Sequence, residues 1–181
     1  MNRMNLKKIC TVAFLFLVLM SVSGCGTGEN VNQNNENVLK EGDIAPEFTA
    51  QLADGSTFTL SDGKGKVVLL NFWATWCGPC VGEMPAFEKL HKEYGDDVAI
   101  LAVNYMEDAS TVDRFIDENG YTFPIAYDED GTINMKYPSD GIPYTVILDK
   151  EGVIQYIYLG AEDADTQYQE YKSAIDDLLD Q

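Results

Sequence analysis

From Glu47 onward the chain alternates apolar runs of strand length with polar stretches that carry apolar residues at helical spacing. "PEFTAQLADGSTFTLSD" alternates apolar and polar positions on either side of Asp54-Gly55, a pairing that closes a β-hairpin. "GKVVLLNFWA" is almost continuously apolar, which predicts a central strand buried on both faces. A helix should begin near Cys77 and run to about Tyr94, with Met84, Phe87, Leu90 and Tyr94 on one face and Pro85 kinking it. "VAILAVNY" is a second buried strand, "STVDRFIDENG" a short amphipathic helix stopped at Gly120, and "FPIAYDEDG" a strand edge and turn. "PYTVILDKEGVIQYIYLG" reads as two strands joined at Asp149 to Gly152, and "DTQYQEYKSAIDDLLD" as a closing helix. Strands alternating with helices, then a late hairpin, predict an α/β fold with a mixed sheet.

The first residues break this pattern. "MNRMNLKK" is cationic, and Ile9 to Val22 is apolar and uncharged but shorter than the roughly 20 residues a spanning helix needs. The small residues that follow end at Cys25, and the whole resembles a bacterial lipoprotein signal. That resemblance implies cleavage of residues 1–24 and acylation of Cys25. An ordinary secretory signal, or an uncleaved anchor with a chance cysteine, shares the first two features; export follows in each case. Gly26 to Lys40 is rich in Asn, Gly and Glu and too poor in apolar residues to offset the entropy of ordering, so it is expected to be a flexible tether; the lipoprotein resemblance implies that residues 25–40 are a lipidated N-terminus and that tether. Residues 41–181 are then one domain, large enough for a proper core.

Charge narrows the partners. The chain carries 12 Lys+Arg against 30 Asp+Glu, a net charge of −18, and signal cleavage would remove Arg3, Lys7 and Lys8 but no acid. Such a chain is repelled by phosphate backbones and anionic lipid head groups, which argues against a nucleic-acid partner and leaves a basic protein open.

The four cysteines narrow the chemistry. Cys10 lies in the signal and Cys25 at its end, leaving Cys77 and Cys80 in "NFWATWCGPC". A single pair is no disulfide scaffold, and zinc would need further ligands where the chain offers only His91. A static bridge over so short a loop would stabilise little. A reversible redox pair explains the placement better. The unpaired N–H groups and dipole of a helix N-terminus favour the thiolate, which is the nucleophile in exchange. Cys77 is therefore expected to be the exposed attacking residue. Cys80, one turn on and more buried, should resolve the mixed disulfide, with Pro79 tolerated in the first turn.

Together "GDIAPEFT", "GKVVLLNFWATWCGPCVGEMP" and "GIPYTVILDKEGVI" resemble the TlpA/ResA type of thiol–disulfide oxidoreductase, the membrane-tethered extracytoplasmic branch of the thioredoxin superfamily. The resemblance implies a thioredoxin-like three-layer sandwich with a central mixed sheet and an added N-terminal β-hairpin. It implies that Glu83 tunes the cysteines and exchanges a proton with them; a solvated acid near the helix start is the alternative. Thioredoxins proper carry an aspartate where this chain has Asn71, a departure that matches TlpA/ResA. Pro143 is implied to be cis against the dithiol, with Ile142 offering its backbone to an extended substrate. Trp76 is read as an apolar rim beside Cys77, Trp73 as core and His91 as a solvated helix residue.

The expected activity is reduction of disulfides in exported proteins, with no cofactor beyond the Cys77–Cys80 pair. Gly-Pro between the cysteines matches reducing thioredoxin, at about −270 mV, against about −120 mV for the oxidant DsbA. The family points to apocytochrome c or exported redox-repair enzymes as substrates, a membrane protein as electron donor, and a monomer anchored by lipid on the outer face of the cell membrane. A peroxiredoxin-like peroxidase is the second reading. It is weakened by Ala74, where peroxiredoxins carry threonine, and by Cys80, where they carry no cysteine. A lipid-tethered binding module with incidental thiols is the third.

Overall fold

The computed structural model describes residues 38–181; the expected signal, Cys25 and nearly all of the tether lie outside the described residues. Strand β3 (Val67–Trp73) is at the centre, and every one of its residues is buried. It pairs in parallel with β4 (Val98–Tyr105), which pairs in parallel with β5 (Ile125–Asp128). On its other side lie antiparallel β6 (Tyr144–Leu148) and β7 (Ile154–Leu159), giving the order β5-β4-β3-β6-β7. The N-terminal hairpin pairs β1 (Thr49–Gln51) with β2 (Thr57–Thr59). This is the mixed α/β, thioredoxin-like architecture that the residue pattern and the resemblance imply.

Helix α1 (Gly78–Tyr94) links β3 to β4 and continues across Pro85; α2 (Ala109–Asn119) links β4 to β5; α3 (Ala164–Leu179) ends the domain. The two parallel crossovers step along the sheet in one direction, so their common hand puts α1 and α2 on one face. α3 joins them there. Alternation along β3 divides the core: Val67, Leu69 and Trp73 pack under the helices, while Val68, Leu70 and Phe72 face the opposite layer. That layer is built from the hairpin, from 3₁₀ turns at Leu60–Gly63 and Asn134–Lys136, and from Tyr137, whose ring lies against Phe72 and Phe48. Among the described residues it contains no α-helix. The two 3₁₀ turns are absent from the sequence reading because one turn is too short to generate a period.

The same alternation matters for function. Position 71 shares the helix-facing side of β3 with Leu69 and Trp73, yet its residue is asparagine. Its register partner on β6 is Thr145, which is polar as well. Two polar side chains thus stand side by side in the buried face beneath α1.

Candidate active site

The chain leaves β3 at Trp73 and enters α1 through one tight turn. The Cys77 N–H bonds the Ala74 carbonyl at 3.1 Å, and Cys77, with extended dihedrals of −86° and 101°, is the N-cap of α1. Its Sγ accepts the Cys80 N–H at 3.3 Å, so the sulfur takes one of the amide groups left unpaired at the helix start. Pro79 lies in the first turn, where its missing N–H costs nothing. The two sulfurs are joined in a disulfide, with Cα atoms 5.2 Å apart. Thr75 is fastened from the side, its N–H and hydroxyl both donating to Glu107, which also receives the Asn104 amide at 2.8 Å.

Exposure ranks the cysteines as expected, but the margin is small: Cys77 is 6% exposed and Cys80 fully buried. Cys77 is therefore not the open residue that the helix-start position suggests. As N-cap its sulfur turns onto the helix, and the loop before β6 closes over it. The Ile142–Pro143 bond in that loop is cis, and the Ile142 carbonyl oxygen is 3.7 Å from Cys77 Sγ. Trp76, 66% exposed, stands at the mouth.

Beneath the dithiol lies a buried polar ring. Glu83, one turn beyond Cys80 on α1, has no exposed surface, which overturns the solvated reading of this acid. Asn71 Nδ2 donates to Glu83 Oε1 at 3.0 Å and to Thr145 Oγ1 at 2.8 Å. The Tyr171 hydroxyl, from α3, is 2.8 Å from Glu83 Oε2 and 3.2 Å from Thr145 Oγ1. A phenol has one proton, and the shorter contact to the acid takes it, leaving the Thr145 hydroxyl to donate to the Tyr171 oxygen. Burial pushes the Glu83 carboxyl up to about 7, against the opposing pull of the Tyr171 and Asn71 hydrogen bonds. An acid poised there can take or return a proton near neutrality.

The structure therefore gathers Trp76, Cys77, Cys80, Glu83, Ile142 and Pro143 around one turn. Trp73 is buried against Phe115, as a core residue should be. His91 is about three turns beyond Cys80 on α1, half-buried, its carbonyl capped by the Gly95 N–H. Sequence reasoning missed Thr145, Tyr171 and Glu107. Tyr171 reads as one more apolar position of an amphipathic helix, and it meets Glu83 from 88 residues away. Among the described residues no group of three or more His, Cys, Asp or Glu could hold a metal ion.

Residues 40–175 match the redoxin family. The chain belongs to that family. This redoxin is 49% identical over 125 residues to the thioredoxin-like protein YneN of Bacillus subtilis (strain 168), a stretch covering 67% of this chain and 73% of YneN. It is 40% identical over 136 residues to the thiol-disulfide oxidoreductase ResA of Oceanobacillus iheyensis, covering 72% and 71%. The crystal structure of Etrx1, an exposed lipoprotein thioredoxin of Streptococcus pneumoniae strain TIGR4, superposes with a TM-score of 0.62 at 30% identity, over 71% of this chain and 99% of that one. The redoxin is a thiol–disulfide oxidoreductase of the ResA type, which exchanges disulfides with proteins.

Glu83 makes the stability of this redoxin depend on pH. Below 4.5 the folded and unfolded chains both hold its proton; between 4.5 and about 7 only the folded chain does. Stability is thus lost as pH rises through this window, by up to roughly 3 kcal/mol above it. Glu83→Gln should abolish this loss, so urea midpoints at pH 5 and pH 8 should differ less in the variant than in the wild type. Tyr171→Phe removes a donor that favours the carboxylate, at a cost of about 1–3 kcal/mol in stability. It should move the Glu83 titration to higher pH, read from the carboxyl stretch by infrared difference spectroscopy.

Proposed function

We propose that this chain is an extracytoplasmic, lipid-anchored reductase of disulfides in exported proteins. The observation that carries the reading is the Cys77 sulfur, which caps α1, accepts the Cys80 amide and keeps the only exposure in the pair. In the reduced enzyme the same amide and the helix dipole favour a thiolate at Cys77. That thiolate attacks one sulfur of the substrate disulfide, a Cys77–substrate bond replaces it, and the other substrate sulfur leaves and takes up a proton. Cys80 then gives its proton to the Glu83 carboxylate and attacks Cys77 Sγ. The substrate sulfur held on Cys77 departs as a thiolate and takes up a proton, and the Cys77–Cys80 disulfide remains, two electrons having passed to the substrate. A membrane protein returns the pair to the dithiol.

The Gly-Pro dipeptide between the cysteines favours reduction over oxidation. Apocytochrome c and exported redox-repair enzymes are the substrates that the family suggests. The lipid anchor rests on the residues up to Cys25 and on the likeness to Etrx1, named as an exposed lipoprotein. No helix of the described residues is long and apolar enough to cross a membrane.

Cys80→Ser in the full chain should stall the exchange and accumulate partner proteins on Cys77, recovered as adducts that mass spectrometry identifies, while Cys77→Ser should yield none. Insulin reduction should fall at least 100-fold in Cys77→Ser. Adducts that survive loss of Cys77, or peroxide consumed without any dithiol donor, would defeat the reading. Separately, Cys25→Ala should move the protein from the membrane fraction to the medium.

A further inference from the structure

Beside the dithiol, Trp76, Tyr105, Met106, Met135, Tyr137 and Ile142 wall a groove of about 650 Å³. Six large apolar side chains stay exposed among the described residues, and three of them, Trp76, Met106 and Met135, stand around this groove. Apolar residues scattered singly need no explanation, but a cluster beside a reactive sulfur does.

The groove is built rather than incidental. The buried Asp128 carboxylate accepts the N–H groups of Ile133 and Asn134 and the Asn134 amide, which holds the loop carrying Met135. Met106 has a φ of 56°, a left-handed conformation that a side-chain-bearing residue adopts at a cost. Gly131 makes room for it: a Cβ there would lie 3.1 Å from Met106 Cγ and 3.2 Å from its Sδ. Backbone strain and an adjacent glycine thus hold an unbranched thioether at the surface, where it can adapt to varied apolar shapes.

The rim carries Asp130 and Asp140, both exposed, and no Lys or Arg lines the groove. A second copy of a chain with a net charge of −18 would be repelled, and so would an anionic lipid surface. Ile142 belongs both to the groove wall and to the contact with Cys77 Sγ at 3.7 Å, so a chain bound at the sulfur reaches the groove within a few residues. We propose that the groove selects the substrate. It takes a polypeptide segment in which a large apolar side chain and a Lys or Arg flank the disulfide cysteine, the apolar group between Met106 and Met135 and the cation at Asp130 and Asp140. This rests on the reductase reading above and adds the class of substrate to it.

The test uses the reduced full chain and three peptides, each with one cysteine as a mixed disulfide with mercaptoethanol, flanked by Leu-Arg, Leu-Glu or Ser-Ser. Hydroxyethyl disulfide, small and uncharged, reports the dithiol alone. The Leu-Arg peptide should be reduced with a kcat/KM about tenfold above the Leu-Glu peptide, carried mainly by KM and shrinking in high salt. The double variant Asp130→Asn, Asp140→Asn should bring that ratio to within about twofold. Met135→Ser should bring the Leu-Arg peptide towards the Ser-Ser one. Equal kcat/KM for the three peptides, in a wild-type chain that reduces hydroxyethyl disulfide, would overturn the groove assignment and leave the reductase standing. A charge preference that persists in the double variant would overturn the role of the two aspartates. A chain inert towards every disulfide, the small one included, would overturn the reductase reading itself.

Discussion

A strand buried on both faces must hand its chain to a helix, and the amide groups at that helix's start have no partners of their own. Everything at this site follows from how that deficit is met. A hydroxyl or carboxylate could cap the end and would be inert in exchange; here a sulfur does it, accepting the Cys80 N–H. The field that stabilises the cap is the field that stabilises a thiolate, so the group closing the helix is also the one proposed above as the nucleophile. Its partner cysteine, one turn inside, is bonded to it here and is fully buried, shielded from any disulfide but the one Cys77 presents.

That shielding creates a second requirement, because a resolving thiol in a dry core needs somewhere to send a proton. Glu83, one turn beyond Cys80, is the acceptor proposed above, and the ring around the acid explains how a carboxyl is held in a hydrophobic face. Asn71 directs both amide protons outward, one to Glu83 and one to Thr145, and Tyr171 closes the ring from α3. The two hydroxyls can rotate. When Glu83 gains a proton, Tyr171 can accept from it and turn its own proton to Thr145; when Glu83 is ionised, Tyr171 and Asn71 both donate to it, and what burial still costs the charge is why its pKa stays raised. An aspartate in place of Asn71 would bring a second acid against Glu83; the amide offers donors instead. The C-terminal helix, remote in sequence, is thereby part of the redox centre.

The groove belongs to the opposite side of the same turn. Thr75, tied to Glu107, holds Trp76 at the mouth, and the Ile142 loop is shared between the sulfur and the groove wall. Chemistry and selection thus adjoin: Trp76, next to Cys77 in the chain, and Ile142, against its sulfur, both wall the groove. The buried polar ring lies under the helices, and the groove lies beside the opposite layer, which among the described residues holds no α-helix.

Much of this was legible in the residues taken alone. Continuous apolarity marked β3 as central, because a strand covered on both faces has no polar side to show. Period-2 and period-3.6 patterns located the other strands and helices, and Cys-Gly-Pro-Cys at a strand-to-helix junction marked the reactive pair. The resemblance added Glu83 and the cis proline. What the residues could not disclose is which polar groups meet in the core, since that depends on register and on the side of the sheet to which each crossover turns. Thr145 opposes Asn71 only through strand pairing, Tyr171 reaches Glu83 only because α3 packs back over the sheet, and Met106, Met135 and Asp130 form a wall only once loops distant in sequence converge. Local patterning therefore determined the elements and the place of the cysteine pair, while packing between distant segments decided how far Cys77 is covered, how Glu83 is held near neutrality and where the groove beside the pair opens.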